Sequence, residues 1–222
     1  MNKIIQGDFR DIIEGIKDDY IIITDPPYNI NFKGYGQEYE DSMTDEDYIE
    51  MLCYFQNKPV AIIDYPEEMM KYVVPALGIP DEVLCWCYNT NMRRAFRLIN
   101  IYGIKPNFNK VRQPYKNPND KRIKAYIEKT GSNGARMYDW FSDIQQVKNV
   151  SKEKTEHPCP IPIELAKRLI ILLSEKNDLI IDTFCGGGTV CLAAKQLGRR
   201  YIGIDISRKY CDIAEKRLKQ KS

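Results

Sequence analysis

The chain has 222 residues, of which 43% are hydrophobic and 29% charged, and its formal net charge is +2. This composition is ordinary for one α/β domain with its own hydrophobic core. No apolar run reaches the ~18 residues of a membrane span, and Asp8 brings an acid too early for a signal peptide. His157 is the only histidine, which argues against a histidine-rich zinc site and most hydrolases with a histidine base, so no metal is expected.

The cysteines indicate the redox environment. There are seven, an odd number, and they are scattered along the chain without a Cys-x-x-Cys pair. This usage is typical of a reduced chain, so we expect a cytoplasmic protein. Cys85 and Cys87 would share one face of a strand, where small buried side chains are expected rather than metal ligands.

Charge is distributed unevenly along the chain. From Asp8 to Glu50 there are 13 acids and 3 bases, a balance of −10. From Arg93 to Arg136 there are 12 bases and 2 acids, a balance of +10. Such asymmetry suggests that one face of the protein meets a polyanion, with a solvated basic surface as the alternative.

The first half of the chain is predicted to alternate strands with helices. Short β-branched runs predict strands, and apolar residues at helical spacing behind a capping residue predict helices. The predicted strands are Lys3 to Gln6, Tyr20 to Thr24, Pro59 to Asp64 and Glu82 to Tyr88. The predicted helices run from Phe9 to Ile16, from Thr44 to Gln56, onward from Pro66, and from Asn91 to Asn100. Residues 31–43 are expected to form a mobile loop.

The second half begins irregularly and then returns to the same alternation. Between Lys105 and Asn149, bases are mixed with aromatic residues, which suits nucleic acid because cations meet phosphates and rings stack on bases. Then follow a helix from Pro162, a strand from Asp178 to Asp182, a helix from Val190 to Leu197, a strand from Arg200 to Asp205 and a last helix capped by Ser207. The alternation predicts an α/β fold with a mostly parallel sheet.

The stretch from Tyr20 to Asn29 carries the first candidate site. The predicted strand must stop at Asp25, because Pro26 and Pro27 have no amide hydrogen for a sheet ladder. A carboxylate therefore stands at the carboxyl end of a buried strand, where open α/β sheets bind ligands, before a stiff turn and the ring of Tyr28. The alternative is a proline-rich turn with a capping aspartate.

The second candidate site is a glycine-rich turn between a buried strand and a helix, from Asp182 to Thr189. Such a turn lets a ligand approach the backbone, and Asp205 at the end of the next strand suits the ribose hydroxyls of a nucleoside cofactor. A dinucleotide site would fit this pattern too, although Cys191 stands where a third glycine is expected. No Lys-Ser or Lys-Thr follows, so a phosphate loop is not indicated.

These motifs resemble those of the DNA methyltransferases that methylate adenine at N6 or cytosine at N4. The quartet from Asp25 to Tyr28 resembles their catalytic motif, and Phe184-x-Gly186-x-Gly188 is similar to their S-adenosylmethionine motif. The segment from His157 to Pro162 resembles the one before the helix beside the cofactor methionine, and Gln6-Gly7-Asp8 the strand end at the cofactor adenine. The order of motifs, catalytic first and cofactor last, is that of the permuted β class.

The resemblance implies the fold and the organisation of the chain. It implies an α/β, single-domain, Rossmann-like S-adenosylmethionine-dependent methyltransferase fold over residues 1–222. Its mostly parallel twisted sheet would have helices on both faces and a circularly permuted motif order. Residues 105–156 would form a small inserted target-recognition region. Thr183, Asp205 and Ile161 stand where proline, glutamate and lysine are frequent in the family, and the first two replacements keep the chemistry.

The resemblance also assigns roles to residues. The catalytic candidates are Asp25, Pro26, Pro27 and Tyr28. The cofactor-binding candidates are Asp8, Phe9, Asp25, Asp182, Phe184, Cys185, Gly186, Gly188, Thr189, Asp205 and Ile206. The DNA-binding candidates are Arg93, Arg94, Lys110, Arg112, Lys116, Lys121 and Arg122.

The implied reaction is methyl transfer from S-adenosylmethionine to an exocyclic amine. Asp25 and the carbonyl of Pro26 would accept the amine hydrogens, and Tyr28 would stack on a flipped base. Adenine N6 is preferred because aspartate opens the quartet. Cytosine N4 is the alternative, and a nucleotide-dependent oxidoreductase is a more distant one. Double-stranded DNA is the expected partner, and a homodimer and a cognate restriction enzyme are left open.

Overall fold

The computed structural model describes residues 2–37, 39–91, 93–148, 151, 153 and 155–220. Across these residues ten strands form two sheets, the larger of which organises the fold. The strands are β1 (Asn2–Gln6), β2 (Tyr20–Thr24), β3 (Val60–Asp64), β4 (Glu82–Cys87), β5 (Phe96–Tyr102), β6 (Arg112–Gln113), β7 (Ala135–Arg136), β8 (Trp140–Phe141), β9 (Leu179–Asp182) and β10 (Arg200–Asp205).

The larger sheet has two differently built halves. Its strand order is β1-β10-β9-β2-β3-β5-β4-β8. The first five strands of that order are parallel to one another, and we call them the parallel half. Strand β5 is antiparallel to both β3 and β4. We call β5, β4 and β8, together with residues 105–148, the outer half.

Helices cover both faces of the parallel half, as the sequence predicts. They are α1 (Phe9–Ile13), α2 (Asp45–Cys53), α3 (Pro66–Glu68), α4 (Val74–Leu77), α6 (Ile163–Leu173), α7 (Thr189–Gln196) and α8 (Arg208–Lys219), whereas α5 (Lys121–Thr130) lies in the outer half. A π-helical turn, Met69–Val73, joins α3 to α4. Ile180 of β9 packs into the core beneath α6 and α7, whereas Ile181 packs into the core beneath α1 and α2. Burial on both faces explains why these strands read as continuous apolar runs.

Three of the expected caps are present and fix helix starts. Asp8 accepts a hydrogen bond from the amide of Arg10, Thr44 from that of Asp47, and Ser207 from that of Tyr210. Helices α1 and α2 end about one turn before their predicted ends at Ile16 and Gln56. Strand positions in the parallel half agree with prediction to within one or two residues.

The predicted helix from Asn91 to Asn100 is wrong. The arginines at 93, 94 and 97 have the spacing of one helical face, but the chain from Phe96 onward forms β5. Ile99 and Ile101 are buried in one core while Leu98 packs on the other, which is the period of a strand between two layers. Residue 92 lies outside the described residues.

The predicted irregular region contains a helix that the sequence analysis missed. Helix α5 begins behind Asp120, whose carboxylate accepts the amide of Arg122, and ends at Gly131 in the left-handed conformation. Strands β6 and β7 form a separate small sheet, while β8 pairs with β4. The boundaries 105–156 remain a prediction, and residues 149, 150, 152 and 154 lie outside the described residues.

Strand direction determines where the site lies. The carboxyl ends of the parallel strands bring Gln6, Thr24, Asp182 and Asp205 to one edge of the sheet. Because β5 runs the opposite way, its first residues reach that same edge. Arg97 therefore enters the region next to Asp25, although 72 positions separate the two in sequence (97 − 25).

Candidate active site

The turn after β2 is held in one conformation by a buried acid. Asp41, only 3% exposed, accepts hydrogen bonds from the amides of Asn29 (2.7 Å), Ile30 (3.2 Å) and Phe32 (3.0 Å). Asn29 adopts a left-handed φ of 56°, which asparagine tolerates. On the other side, the Tyr48 hydroxyl donates to the carbonyl of Pro27. The turn from Asp25 to Tyr28 is therefore anchored from both sides, and Asp41 has no signature in the sequence that would have identified it.

Asp25 is enclosed by two groups that favour its ionised form. The Tyr28 hydroxyl donates to Oδ1, and Nη1 of Arg97 lies 3.6 Å from Oδ2. Burial raises the pKa of the Asp25 carboxyl, while the Arg97 charge and the Tyr28 hydrogen bond oppose that rise. Besides the predicted stacking role of its ring, Tyr28 has a structural contact, because its hydroxyl donates to the Asp25 carboxylate.

The glycine turn is shaped by packing as well as by access. Gly186 has a φ of 45°, and a Cβ there would lie 2.8 Å from Nε2 of His157. Gly188 has a φ of 74°, and a Cβ there would lie 2.8 Å from Cβ of Ala214 in α8. A side chain at either position would collide with its neighbour. For Gly188 the neighbour is a helix, so this glycine is needed for helix packing rather than for the wall of a site.

A cleft of about 910 Å³, partly open to solvent, lies at this edge of the sheet. The predicted residues on its wall are Asp8, Phe9, Asp25, Pro27, Phe184, Asp205 and Ile206. An adjoining pocket of about 310 Å³ is lined by Asp25, Asp182, Phe184, Cys185, Gly186 and Thr189, among others. Asp25 and Phe184 line both spaces. The structure therefore brings the two sequence motifs to one continuous depression.

The acids of the cleft are held by different partners. Oδ1 of Asp8 accepts the amide and Nε of Arg10, both at 2.9 Å, and hydrogen bonding to the Arg10 side chain lowers the pKa of Asp8. Asp205 accepts the amide of Gly186 at 2.8 Å and that of Ser207 at 2.9 Å, so it couples the glycine turn to α8. These contacts orient both carboxylates toward one edge of the sheet.

Asp182 is buried more deeply than the other acids. It accepts a hydrogen bond from the Thr24 hydroxyl at 3.2 Å and from the Phe184 amide at 3.3 Å. Burial raises the pKa of Asp182 to about 8. The hydrogen bond from Thr24 to this carboxyl links β2 to β9 at the site edge of the sheet.

Comparison with known proteins identifies the family. A family model described as DNA methylase, of the N6 and N4 type, matches residues 52–216. This chain belongs to that family of DNA methylases. The matched range includes the glycine turn and Asp205, and it begins after the Asp25 quartet.

Individual relatives and solved structures agree with the assignment. This DNA methylase is 28% identical over 218 residues to the Type II methyltransferase M.HpaI of Haemophilus parainfluenzae, covering 89% of this chain and 67% of that protein. Matches to four curated relatives, M.HpaI among them, cover only 38% to 68% of the length of each relative.

Two solved structures confirm the predicted fold. The M1.HpyAVI-SAM complex superimposes with a TM-score of 0.67 at 21% identity, covering 99% of this chain and 100% of that one. The PvuII DNA methyltransferase, described as cytosine-N4-specific, gives a TM-score of 0.68 at 14% identity, covering 100% of this chain and 88% of that one. In the described part of this methylase, no helix is long and apolar enough to cross a membrane.

Most of the predicted DNA-binding residues lie in the outer half of the methylase. Arg93 and Arg94 are in the loop between β4 and β5, at the same edge as Asp25, and the Arg93 side chain is 88% exposed. Nη2 of Arg94 lies 2.8 Å from Glu68, so its charge is partly compensated. Arg112 lies in β6, and Lys116 places Nζ 4.2 Å from the centroid of the Trp140 ring.

Helix α5 provides the most exposed basic surface of this set. Lys121 and Arg122 begin the helix, Lys124 and Lys129 follow, and no residue of α5 is buried. Tyr126 on the same helix is 53% exposed. A helix with bases and an exposed ring, and little core to pack on, is suited to a polyanionic partner.

Lys110 does not join this surface. Its Nζ donates to the carbonyl of Ser174 at 3.0 Å and forms an ion pair with Glu175, directly after α6. Helix α6 runs antiparallel to β9, so its end lies at the amino edge of the sheet, opposite Asp25. The structure therefore gives Lys110 a local role in holding the chain before β9.

Proposed function

We propose that this DNA methylase transfers a methyl group from S-adenosylmethionine to the N6 amine of adenine in double-stranded DNA. The proposal rests on the position of Asp25, which borders both the large cleft and the pocket beside the glycine turn. With the cofactor in these two spaces, Asp25 would stand beside the transferred methyl group, where a carboxylate can receive amine hydrogens of the base.

The cleft fits a cationic nucleoside cofactor by its lining. Phe9, Phe184 and Ile206 offer apolar surface for a base. Asp205 would hold the ribose hydroxyls, and the turn through Gly186 would border the methionine part. Acids outnumber bases on the wall, which favours a positively charged ligand.

The chain's own residues would activate the amine by orienting it. When bound, the cofactor supplies an electrophilic methyl group on a sulfonium. The amine lone pair of adenine is delocalised into the ring, which makes it a weak nucleophile. Asp25 and the Pro26 carbonyl would accept the two amine hydrogens and localise the lone pair on nitrogen, while Tyr28 stacks on the base. Catalysis would then consist mainly of positioning and electrostatic complementarity, without a covalent enzyme intermediate.

The outer half would bind DNA, with residues 105–156 as the target-recognition region. Support comes from the exposed bases of α5, the Lys116–Trp140 pair and the arginines of the β4–β5 loop. Bases on these elements would contact phosphates, and exposed rings would contact bases. We leave Lys110 out of this surface because of its ion pair at the opposite edge.

Mass spectrometry of methylated DNA tests the proposal. The protein would be incubated with DNA from a host without methylases and with S-adenosylmethionine carrying a deuterated methyl group. We expect labelled N6-methyldeoxyadenosine in the nucleoside digest. Labelled N4-methyldeoxycytidine alone would replace adenine with cytosine as the target. Absence of both, with no calorimetric binding of the cofactor, would refute the activity.

Two further partners stay predictions. A homodimer would be seen by size-exclusion chromatography with light scattering. A cognate restriction enzyme would be indicated by an endonuclease that cleaves only DNA left unmethylated by this protein.

A further inference from the structure

We propose that Arg97 is a positioning residue of the methyl-transfer site, which holds the Asp25 carboxylate in the orientation that receives the amine. This inference rests on the proposed function, since it assigns a second residue to the same site. Sequence periodicity placed Arg97 with the exposed arginines at 93 and 94. The structure separates it from them: its side chain is 9% exposed, against 88% for Arg93.

The guanidinium of Arg97 is enclosed by aromatic rings and by one carboxylate. Its centre lies 5.3 Å from the ring centroid of Tyr28, 5.0 Å from that of Tyr65 and 5.6 Å from that of Trp86. Among the described residues, Asp25 is the only acid within ion-pair distance, with 3.6 Å between Nη1 and Oδ2. Three ring faces restrict where the cation can lie, so the direction of its charge toward Asp25 is also restricted.

The stability of the fold does not by itself explain why Arg97 is buried beside Asp25. A buried ion pair is often no more stabilising than apolar residues of the same volume. Here Nε of Arg97 is also buried without a hydrogen-bond partner among the described residues. A buried cation with an unmet donor is a costly way to fill space, but a direct way to hold a carboxylate charged and oriented. Since Oδ1 receives the Tyr28 hydroxyl, Arg97 and Tyr28 together fix both oxygens of Asp25.

The contact has a consequence for pH dependence. Other titratable groups also act on Asp25 or its surroundings, from the turn itself and from the strands packed against it: Tyr28, Tyr35, Asp64 and Asp182. None of these is a cation, so Arg97 provides the positive charge that opposes the effect of burial. The ionised form of Asp25 is the stronger acceptor for an amine hydrogen. Removing the positive charge should therefore raise the pKa of Asp25 and move the acid limb of the methylation rate to higher pH.

Single-turnover methylation measured across pH tests the inference with two variants. Arg97→Gln removes the charge, and we expect a rate loss of up to about 10²-fold, the effect of misplacing a reacting group by ~1 Å, together with an upward shift of the acid limb. Arg97→Lys restores a charge without the planar group, so its acid limb should stay at the wild-type pH while the rate remains below wild type. Cofactor affinity by calorimetry should stay near wild type in both.

Arg168→Gln is the matched control. Arg168 is also a largely buried arginine that lies beside an aromatic ring, 4.9 Å from that of Phe141, but its ion-pair partner is Asp143 rather than Asp25. It should lower the melting temperature without moving the acid limb. Arg97→Gln with a wild-type rate and acid limb would overturn the inference. So would a rate loss with an unmoved acid limb, which indicates a structural role only.

Two measurements keep the inference separate from other failures. If Arg97→Gln does not fold, Arg97→Lys decides, because a shift of its acid limb would contradict the role of the charge. If the wild-type protein transfers no methyl group, the proposed function fails by itself. The titration of ¹³C-labelled Asp25 by NMR then still tests the contact: the midpoint should rise in Arg97→Gln, and an unchanged midpoint would refute it.

Discussion

The two halves of the sheet meet the same edge with opposite chemistry. The parallel half ends in acids and a glycine turn on strands buried on both faces, and its cleft is walled by apolar rings. The outer half has an antiparallel strand, two-residue strands and an exposed basic helix. The difference agrees with the proposal that the parallel half binds a small cationic ligand and the outer half binds a polyanion. Arg97 connects the two halves, because it belongs to β5 and forms an ion pair with Asp25, the residue that follows β2.

Asp25→Ala should have the largest effect of any single change in the parallel half. Loss of a preorganised acceptor costs about 10²–10³ in rate, while the cleft should still bind S-adenosylmethionine. The variant also leaves Arg97 buried without its partner, so its melting temperature should fall. Single-turnover methylation and calorimetry check both points.

The matched change for this test is Asp18→Ala, which breaks the ion pair with Arg200 at the opposite edge of the sheet. It should leave the rate unchanged. A stable Asp25→Ala protein with near wild-type turnover would contradict the proposed mechanism.

Neutralising the bases of α5 should weaken DNA binding and leave cofactor binding unchanged. In a variant with Lys121, Arg122 and Lys124 replaced by glutamine, the slope of log affinity against log salt should fall by ~0.9 for each phosphate that the helix no longer neutralises. Cofactor affinity should not change, because none of the three lines the cleft. Filter binding at several salt concentrations measures the slope.

Lys110→Gln provides the contrast for that experiment. Its ion pair with Glu175 lies away from Asp25, so the salt slope should stay at the wild-type value. A reduced slope for Lys110→Gln, with no change for the α5 variant, would move the DNA to the other edge of the sheet.

Substitutions at glycine test whether Gly188 is required for the packing of the turn against α8. Gly188→Ala and Gly198→Ala place a Cβ at nearly the same φ, 74° and 71°, but only the first meets another atom within 4 Å. Both should therefore carry the strain of a left-handed alanine, and Gly188→Ala should cost a further ~1–3 kcal/mol for overpacking against Ala214. Denaturant unfolding of the two variants gives this difference directly. Equal stabilities would show that α8 shifts to accommodate the added Cβ without a loss in the free energy of unfolding.

Tyr28→Phe should have a smaller effect on the methylation rate than Asp25→Ala and should separate the ring from the hydroxyl. The phenylalanine ring can still stack on a base, but Asp25 loses one hydrogen bond, which is worth about 1.5–3 kcal/mol when the acceptor is charged. We expect a slower methylation step with DNA binding unchanged, whereas Tyr28→Ala should also weaken capture of the flipped base. A Tyr28→Phe rate equal to wild type would leave stacking as the sole role of this residue.

Prediction from sequence succeeded where one physical signal dominated. Asp25 follows an apolar strand and precedes two prolines, so the strand end was determined by residues next to each other in the chain. The same holds for the turn from Asp182 to Thr189. It failed for residues 91–100, where arginine spacing resembled a helical face, and it missed α5, which begins behind the Asp120 cap and has no buried residue.

The sequence by itself determined the alternating elements, the two motifs and the edge at which they meet, because the carboxyl ends of parallel strands must share one side of a sheet. The tertiary structure alone decided what surrounds Asp25. Arg97 arrives there because β5 runs antiparallel, and Asp41 arrives by folding a loop back onto the turn. No periodic pattern in the sequence signals either contact. Each joins residues that are brought together by strand direction or loop closure rather than by nearness in the chain.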